Sequence, residues 1–222
     1  MDDKQRYRKL RLLIRELNKE RKKQAKKIDI LCNDFIAAQR DFIKRLGTIS
    51  FTANFYESIV GTTDLNTLLY TAGKLAKDQI LDANVAFFLR KQDSFELHMF
   101  DGPQARKDAL GNTESDQPIA LERQELENCF TSELVDNICK SNKICTLDDM
   151  FAMGLEGNLI RLNKVSAATI PLCQSGLSLG FILIYRSSQN KLTAGELNNI
   201  AAVVPGLSRA IAARQTLLHP AD

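Results

Sequence analysis

Histidine is nearly missing from this chain: of 222 residues only His98 and His219 carry an imidazole. Haem ligation and zinc binding draw on well-placed histidines or paired cysteines, and neither is offered here. His219 lies in the C-terminal tail, and His98 falls on the polar side of an alternating pattern, where a solvated strand position is expected. The five cysteines, Cys32, Cys129, Cys139, Cys145 and Cys173, are odd in number and contain no CxxC pair. A disulfide framework and a zinc site are both disfavoured. Cys139 and Cys145 sit among apolar neighbours and read as small buried hydrophobes. Long apolar runs are also wanting, since none approaches the roughly 18 residues that span a bilayer. The start, MDDKQRYRKLRLLIRELNKE, has no apolar leader core, so a cytoplasmic location with reduced thiols is expected.

Catalytic signatures are equally sparse. No GK[ST] phosphate loop occurs. The string Gly176-Leu177-Ser178-Leu179-Gly180 fits a hairpin better than a nucleophile elbow. Asp148 and Asp149, read as neighbours on an extended segment, would point to opposite faces and could not share a metal. The expectation is a protein that is not an enzyme and that holds no metal.

What the sequence has in excess is positive charge at one end. Residues 1–46 hold 15 Lys/Arg against 7 Asp/Glu, a net of +8, and the rest holds 15 against 20, a net of −5. A basic segment, here including Arg21-Lys22-Lys23, Lys26 and Lys27, could bind nucleic acid or anionic lipid. A solvated helix face explains it as well and is the preferred reading.

In the same segment the apolar residues Leu10, Ile14 and Leu17, then Ile28, Leu31, Phe35, Ala38 and Phe42, recur at alternating steps of four and three. Such a 3.5-residue repeat predicts a coiled-coil helix over 1–50. Polar Arg21 and Gln24 interrupt the seam. A helix of this kind has no core of its own, and a second copy is its simplest partner. The apolar spacing of Phe51, Phe55, Tyr56 and Ile59 carries the helix on toward Gly61. Thr63 or Asp64 caps a second helix, whose stripe runs from Leu65 to Ile80.

Period two then takes over. Residues 85–89 and 95–99 read as a hairpin, 101–117 as a long loop and 121–138 as one helix. A strand at 144–147 follows, then a loop with a short helix over 150–163. Strands at 167–172 and 178–185 join through Gly176, and Thr193 with Glu196 makes a capping box for a closing helix. That helix carries Leu207 and Ile211 at heptad-like steps and is expected to kink at Pro205.

The stretches DLNTLLYTAGKLAKDQILDANVAFFLRKQDSFELHMFDG and SAATIPLCQSGLSLGFILIYRSSQNKLTAGEL resemble the opening helix and hairpin, and the last hairpin and helix, of the GAF domain family. The resemblance spans about residues 51–217. It implies an α+β fold, a central antiparallel sheet flanked by helices, as a domain at 51–218 with a tail at 219–222. It further implies a pocket for a small molecule on one face of the sheet, and a parallel homodimer through the terminal helices. The expected dimer residues are Leu10, Ile14, Leu17, Ile28, Leu31, Phe35, Phe42, Leu207 and Ile211. The expected pocket residues are Phe88, Phe100, Phe130, Met150 and Leu159. Asn190-Lys191 is similar to the start of the cyclic-nucleotide signature of the family. Leu192 replaces its phenylalanine and one acid is lost, and a turn feeding a capped helix explains every residue. The resemblance names no cofactor. It points to a sensory protein that binds a small ligand and signals to a downstream partner; the alternatives are an interaction scaffold with a vestigial pocket and nucleic-acid binding through the basic helix.

Overall fold

The computed structural model describes residues 3–91, 94–99, 123–157 and 162–218. Phe100, the expected loop at 101–117, Leu159 and the tail with His219 lie outside the described residues. Two units divide the chain, Met1–Ser50 and Phe51–Asp222.

In the first unit residues 4–50 belong to helix α1, which runs Asp3–Val60, and all of them but the half-buried Thr48 are exposed to solvent. The seam residues Leu10, Ile14, Leu17, Ile28, Leu31, Phe35 and Phe42 are all exposed. No described helix is long and apolar enough to cross a membrane.

The second unit contains residues 51–60 of α1, then α2 (Leu65–Gln79), β1 (Asn84–Lys91), β2 (Ser94–Met99), α3 (Arg123–Cys129), α4 (Ser132–Ser141), β3 (Cys145–Thr146), α5 (Leu147–Ala152), β4 (Val165–Gln174), β5 (Leu177–Ser187) and α6 (Ala194–Leu218). The strands form one sheet in the order β2-β1-β5-β4-β3, with every pair antiparallel. This is an α+β fold with helices on both faces.

Local chemistry sets most of the element ends. The Asp64 carboxylate accepts from the Thr67 N–H at 2.8 Å and starts α2, as a short polar side chain at an N-cap should. At the head of α6 the Glu196 carboxylate accepts from the Thr193 N–H at 2.8 Å, and the Glu196 N–H donates to the Thr193 hydroxyl at 3.3 Å. Ser175 and Gly176 turn β4 into β5 with φ of 50° and 81°. Two positive φ values in a row mark the type I′ turn of a two-residue hairpin, which matches the twist of the strands it joins.

Three local expectations need correction. The helix expected over 121–138 is two helices. Thr131 adopts extended backbone and its hydroxyl accepts from the Leu134 N–H at 3.4 Å, so α4 starts afresh where the apolar spacing runs on unbroken. The strand expected at 144–147 holds only Cys145–Thr146. Thr146 instead caps α5: its N–H and hydroxyl both donate to the Asp149 carboxylate, at 2.8 and 2.7 Å. Asp148 and Asp149 are therefore first-turn helix residues and not neighbours on a strand.

The dimer list is corrected as well. Leu207 and Ile211 are 1% and 0% exposed, inside the core of their own domain. That first core fills one face of the sheet, where Val85, Phe87, Ile170, Ile182 and Ile184 meet Leu68, Leu69 and Ala72 of α2, Ile200 and Val203 of α6, and Phe55 and Ile59 of α1. A helix stripe buried against its own sheet is not free to pair with a second copy. Helix α6 contains Pro205 without ending there. Gly206 lets it approach Tyr56, since a Cβ built at Gly206 would lie 2.1 Å from the Tyr56 ring.

Candidate functional site

The opposite face of the sheet carries the second core. Strand alternation sends Phe88, Phe181, Leu183 and Tyr185 to this side while their neighbours go to the first. Leu126 of α3, Leu134, Val135 and Ile138 of α4 and Met150 of α5 cover it. Three phenylalanines stand at its centre. Phe88 and Phe181 stack with ring centroids 4.8 Å apart, and Phe130 lies 4.9 Å from Phe88 and 5.8 Å from Phe181. Offset and tilted aromatic pairs at such spacings attract beyond the area they bury.

Of the five expected pocket residues, Phe88, Phe130 and Met150 are buried and belong to this one cluster. Phe100 and Leu159 lie outside the described residues. Phe181, the third member of the triad, was hidden in the sequence. It belongs to the run 181–185, whose members are apolar on both faces, so no polar residue marks which side each one takes. Its parity with Phe88, the residue it pairs with in register, is the signal that could have found it.

Polar groups on this face are few. Ala168, Ile170 and Leu172 of β4 enter the first core and Val165 the second, so alternation puts Thr169 on the second face. Its register partners Cys145 and Leu183 also belong there. Thr169 is 0% exposed, and its hydroxyl has no hydrogen-bond partner among the described residues. A buried hydroxyl without a partner is costly.

Burial pushes Cys129 and Cys139 above the ordinary thiol value, whereas a reactive cysteine needs a lowered one. Ser178 lies on β5 opposite Cys173. It sits in a strand, not on the sharp strand-to-helix turn of a nucleophile elbow. Among the described residues no group of three His, Cys, Asp or Glu side chains could hold a metal. His98 is half-buried, contrary to the solvated position expected of it, and burial lowers its pKa from the ordinary imidazole value.

A five-stranded antiparallel sheet of this order, with α2 and α6 on one face and α3 to α5 on the other, is a GAF-like fold. Solved structures agree. The GAF domain of a phosphoenolpyruvate-protein phosphotransferase from Coxiella burnetii matches with a TM-score of 0.54 at 13% identity, over 78% of this chain and 96% of that one. The GAF domain of the Acinetobacter phosphoenolpyruvate-protein phosphotransferase gives 0.50 at 12% identity, over 77% and 96%. A far-red absorbing dark state with bound biliverdin IXa gives 0.51 at 12% identity, over 74% and 99%. A scan against protein-family models and a search of curated proteins find no match.

Proposed function

We propose that this chain is a non-catalytic sensory or regulatory protein of the cytoplasm. In this reading its GAF-like domain takes a small, flat, largely apolar molecule on the second face of the sheet. The observation that carries it is the buried, unpartnered Thr169 hydroxyl on an aromatic face. Ligand sites are mostly apolar with a few placed polar groups, and this face has that make-up. One similar structure holds biliverdin, a molecule of the same general character. Binding would bias the domain between two states, and a downstream protein would read the change.

The domain is tested by thermal unfolding of the purified chain with and without a panel of biliverdin, haem, cyclic nucleotides and flavins. A ligand at about 100 times its Kd contributes about 2.7 kcal/mol. For a domain of this size the melting temperature should rise by roughly 5–10 °C, and Thr169→Val should reduce the rise. No shift with any member of the panel, together with no small molecule in the native mass spectrum, would favour a second reading. That reading is an interaction scaffold with a vestigial pocket, and the close contact of the three phenylalanines favours it, since protein side chains already fill the centre of the face.

The same proposal includes a parallel homodimer, now through α1 alone. It is supported by the exposed seam of Leu10, Ile14, Leu17, Ile28, Leu31, Phe35 and Phe42 at heptad spacing. A single helix cannot bury such a stripe, and a copy in register can. Sedimentation at micromolar concentration should give a dimer for the native chain and a monomer for the double variant Leu31→Lys, Phe35→Lys. A native monomer would refute the pairing.

A further inference from the structure

Helix α1 presents a second stripe, opposite the apolar one. Lys4, Arg8, Arg11, Arg15, Lys19, Lys22 and Lys26 follow one another at steps of four, three, four, four, three and four, all within the helix and all exposed. Residues three and four apart are neighbours on a helix surface, so these seven form one continuous row. At 3.6 residues per turn the row is centred roughly 140° around the helix from Leu10, Ile14 and Leu17. Glu16 and Glu20 lie outside it. The Glu20 carboxylate takes Lys23, which is not in the row, at 2.8 Å. No ion pair engages any of the seven among the described residues. The row stops where Asp29 takes the next place on that face.

From the sequence, a solvated helix face is the plainer explanation of this charge. Helix surfaces that are merely solvated intersperse carboxylates at i+3 and i+4, because like charges at those spacings repel. Seven cations in an unbroken row do the opposite, and they need an anion to relieve them. We propose that this row is a docking surface for double-stranded nucleic acid, gripped through its phosphates.

Length and composition favour a duplex. The row is about 33 Å long at 1.5 Å per residue, close to the roughly 34–36 Å of one duplex turn. A protein that binds single strands stacks bases on aromatic side chains, and Tyr7 is the only aromatic between Lys4 and Lys27. A membrane fits less well. An amphipathic helix lying on a bilayer buries its apolar face and sets lysines and arginines along the flanks, where they reach the headgroups. Here the seven cations of the row are turned away from the apolar face, toward water. The proposal does not depend on the sensory reading or on pairing, since a single helix carries the whole row. Phosphate contacts carry no base information, so binding is expected to be indifferent to sequence.

The test uses the full chain and labelled duplex DNA of random sequence, about three helical turns long, with anisotropy read as salt is raised. Seven phosphate contacts predict a log–log slope of about −6, and a loss on the order of 10³-fold or more between 50 and 200 mM salt. The quadruple variant Arg8→Gln, Arg11→Gln, Arg15→Gln, Lys19→Gln should reduce the slope by about 4 and weaken binding at least about a hundredfold at 0.1 M salt. Glutamine keeps the helix propensity of the residues replaced, and circular dichroism checks that it does. If helicity falls, the pair Arg8→Gln, Arg11→Gln is used instead, with a slope change of about 2. Arg45→Gln with Lys74→Gln removes charge elsewhere and should leave binding within about twofold. The proposal is overturned by a flat salt dependence, by equal loss in the control pair, or by binding to phosphatidylserine vesicles with none to the duplex.

Discussion

Replacing Arg186 by alanine is expected to lower the stability of the GAF-like domain by about 3–5 kcal/mol, because it leaves a carboxylate and two carbonyls without their donor; the guanidinium is buried, and the Glu196 side chain is 26% exposed. Arg186 is 4% exposed at the end of β5. Its two terminal nitrogens donate to the two Glu196 carboxylate oxygens at 3.0 and 2.9 Å. The same nitrogens donate to the Leu81 carbonyl at 3.3 Å and the Lys191 carbonyl at 2.6 Å. One guanidinium thus ties the α2–β1 turn, the sheet and the head of α6. For a domain of this size the melting temperature should fall by roughly 6–20 °C, measured by calorimetry. An apolar pair, Arg186→Met with Glu196→Leu, should not restore it, because the two carbonyls would still lack their donor. Full recovery in that double variant would show that the carbonyl contacts contribute nothing.

Glu196 gives this cluster a pH dependence. Its burial pushes the carboxyl up, but hydrogen bonds from Thr193 and Arg186 outweigh that and hold it below the ordinary carboxylate value. A carboxylate with a depressed folded pKa stabilises the fold above its unfolded pKa, and the contribution is lost as pH falls through the folded one. Glu196→Gln should therefore flatten the acid side of the stability curve below about pH 4.5 and lower the plateau above it.

Gly180→Ala is expected to be at least as damaging, costing more than about 4 kcal/mol or preventing folding. Gly180 has φ of 133°, and a Cβ there would lie 1.8 Å from the Phe88 carbonyl oxygen. Leu89 of β1 and Leu172 of β4 flank it in register, next to an irregularity at Leu172/Cys173. Both the conformation and the space require glycine, and the obstructing atom is backbone in the middle of a sheet, which cannot step aside without breaking the β1–β5 ladder. Gly176→Ala serves as the comparison: its φ of 81° is also positive, but nothing stands within 4 Å of the added Cβ. Urea unfolding should place that variant far closer to the native chain. Equal tolerance of both substitutions would mean that the ladder shifts easily at Gly180.

Residues near in sequence were the legible part. Asp64, Thr193 with Glu196, and Gly176 each act on backbone groups within three or four positions, so the string that specifies the cap or turn is also the structure that forms. The break at Phe130 and Thr131 escaped because helix periodicity survives a two-residue interruption. The seam of α1 was legible for the same local reason, since nothing in its own unit covers it.

What a stripe packs against is a different kind of fact. Leu207 and Ile211 carry the heptad-like spacing of a dimer seam, yet the sheet of their own chain buries them. Periodicity gives the face of a helix that leaves water, not the surface that receives it. The triad of Phe88, Phe130 and Phe181 joins two strands and the link between α3 and α4, and the clash at Gly180 is with a residue 92 positions away. By itself, then, the sequence determined the long helices, the hairpins, the capped starts of α2 and α6 and the basic row of α1, all products of short-range bonding and of charge along one element. Only the tertiary structure decided which apolar faces meet, which hydroxyl is left without a partner and where glycine is obligatory, because those depend on distances between atoms that the chain brings together only when it folds.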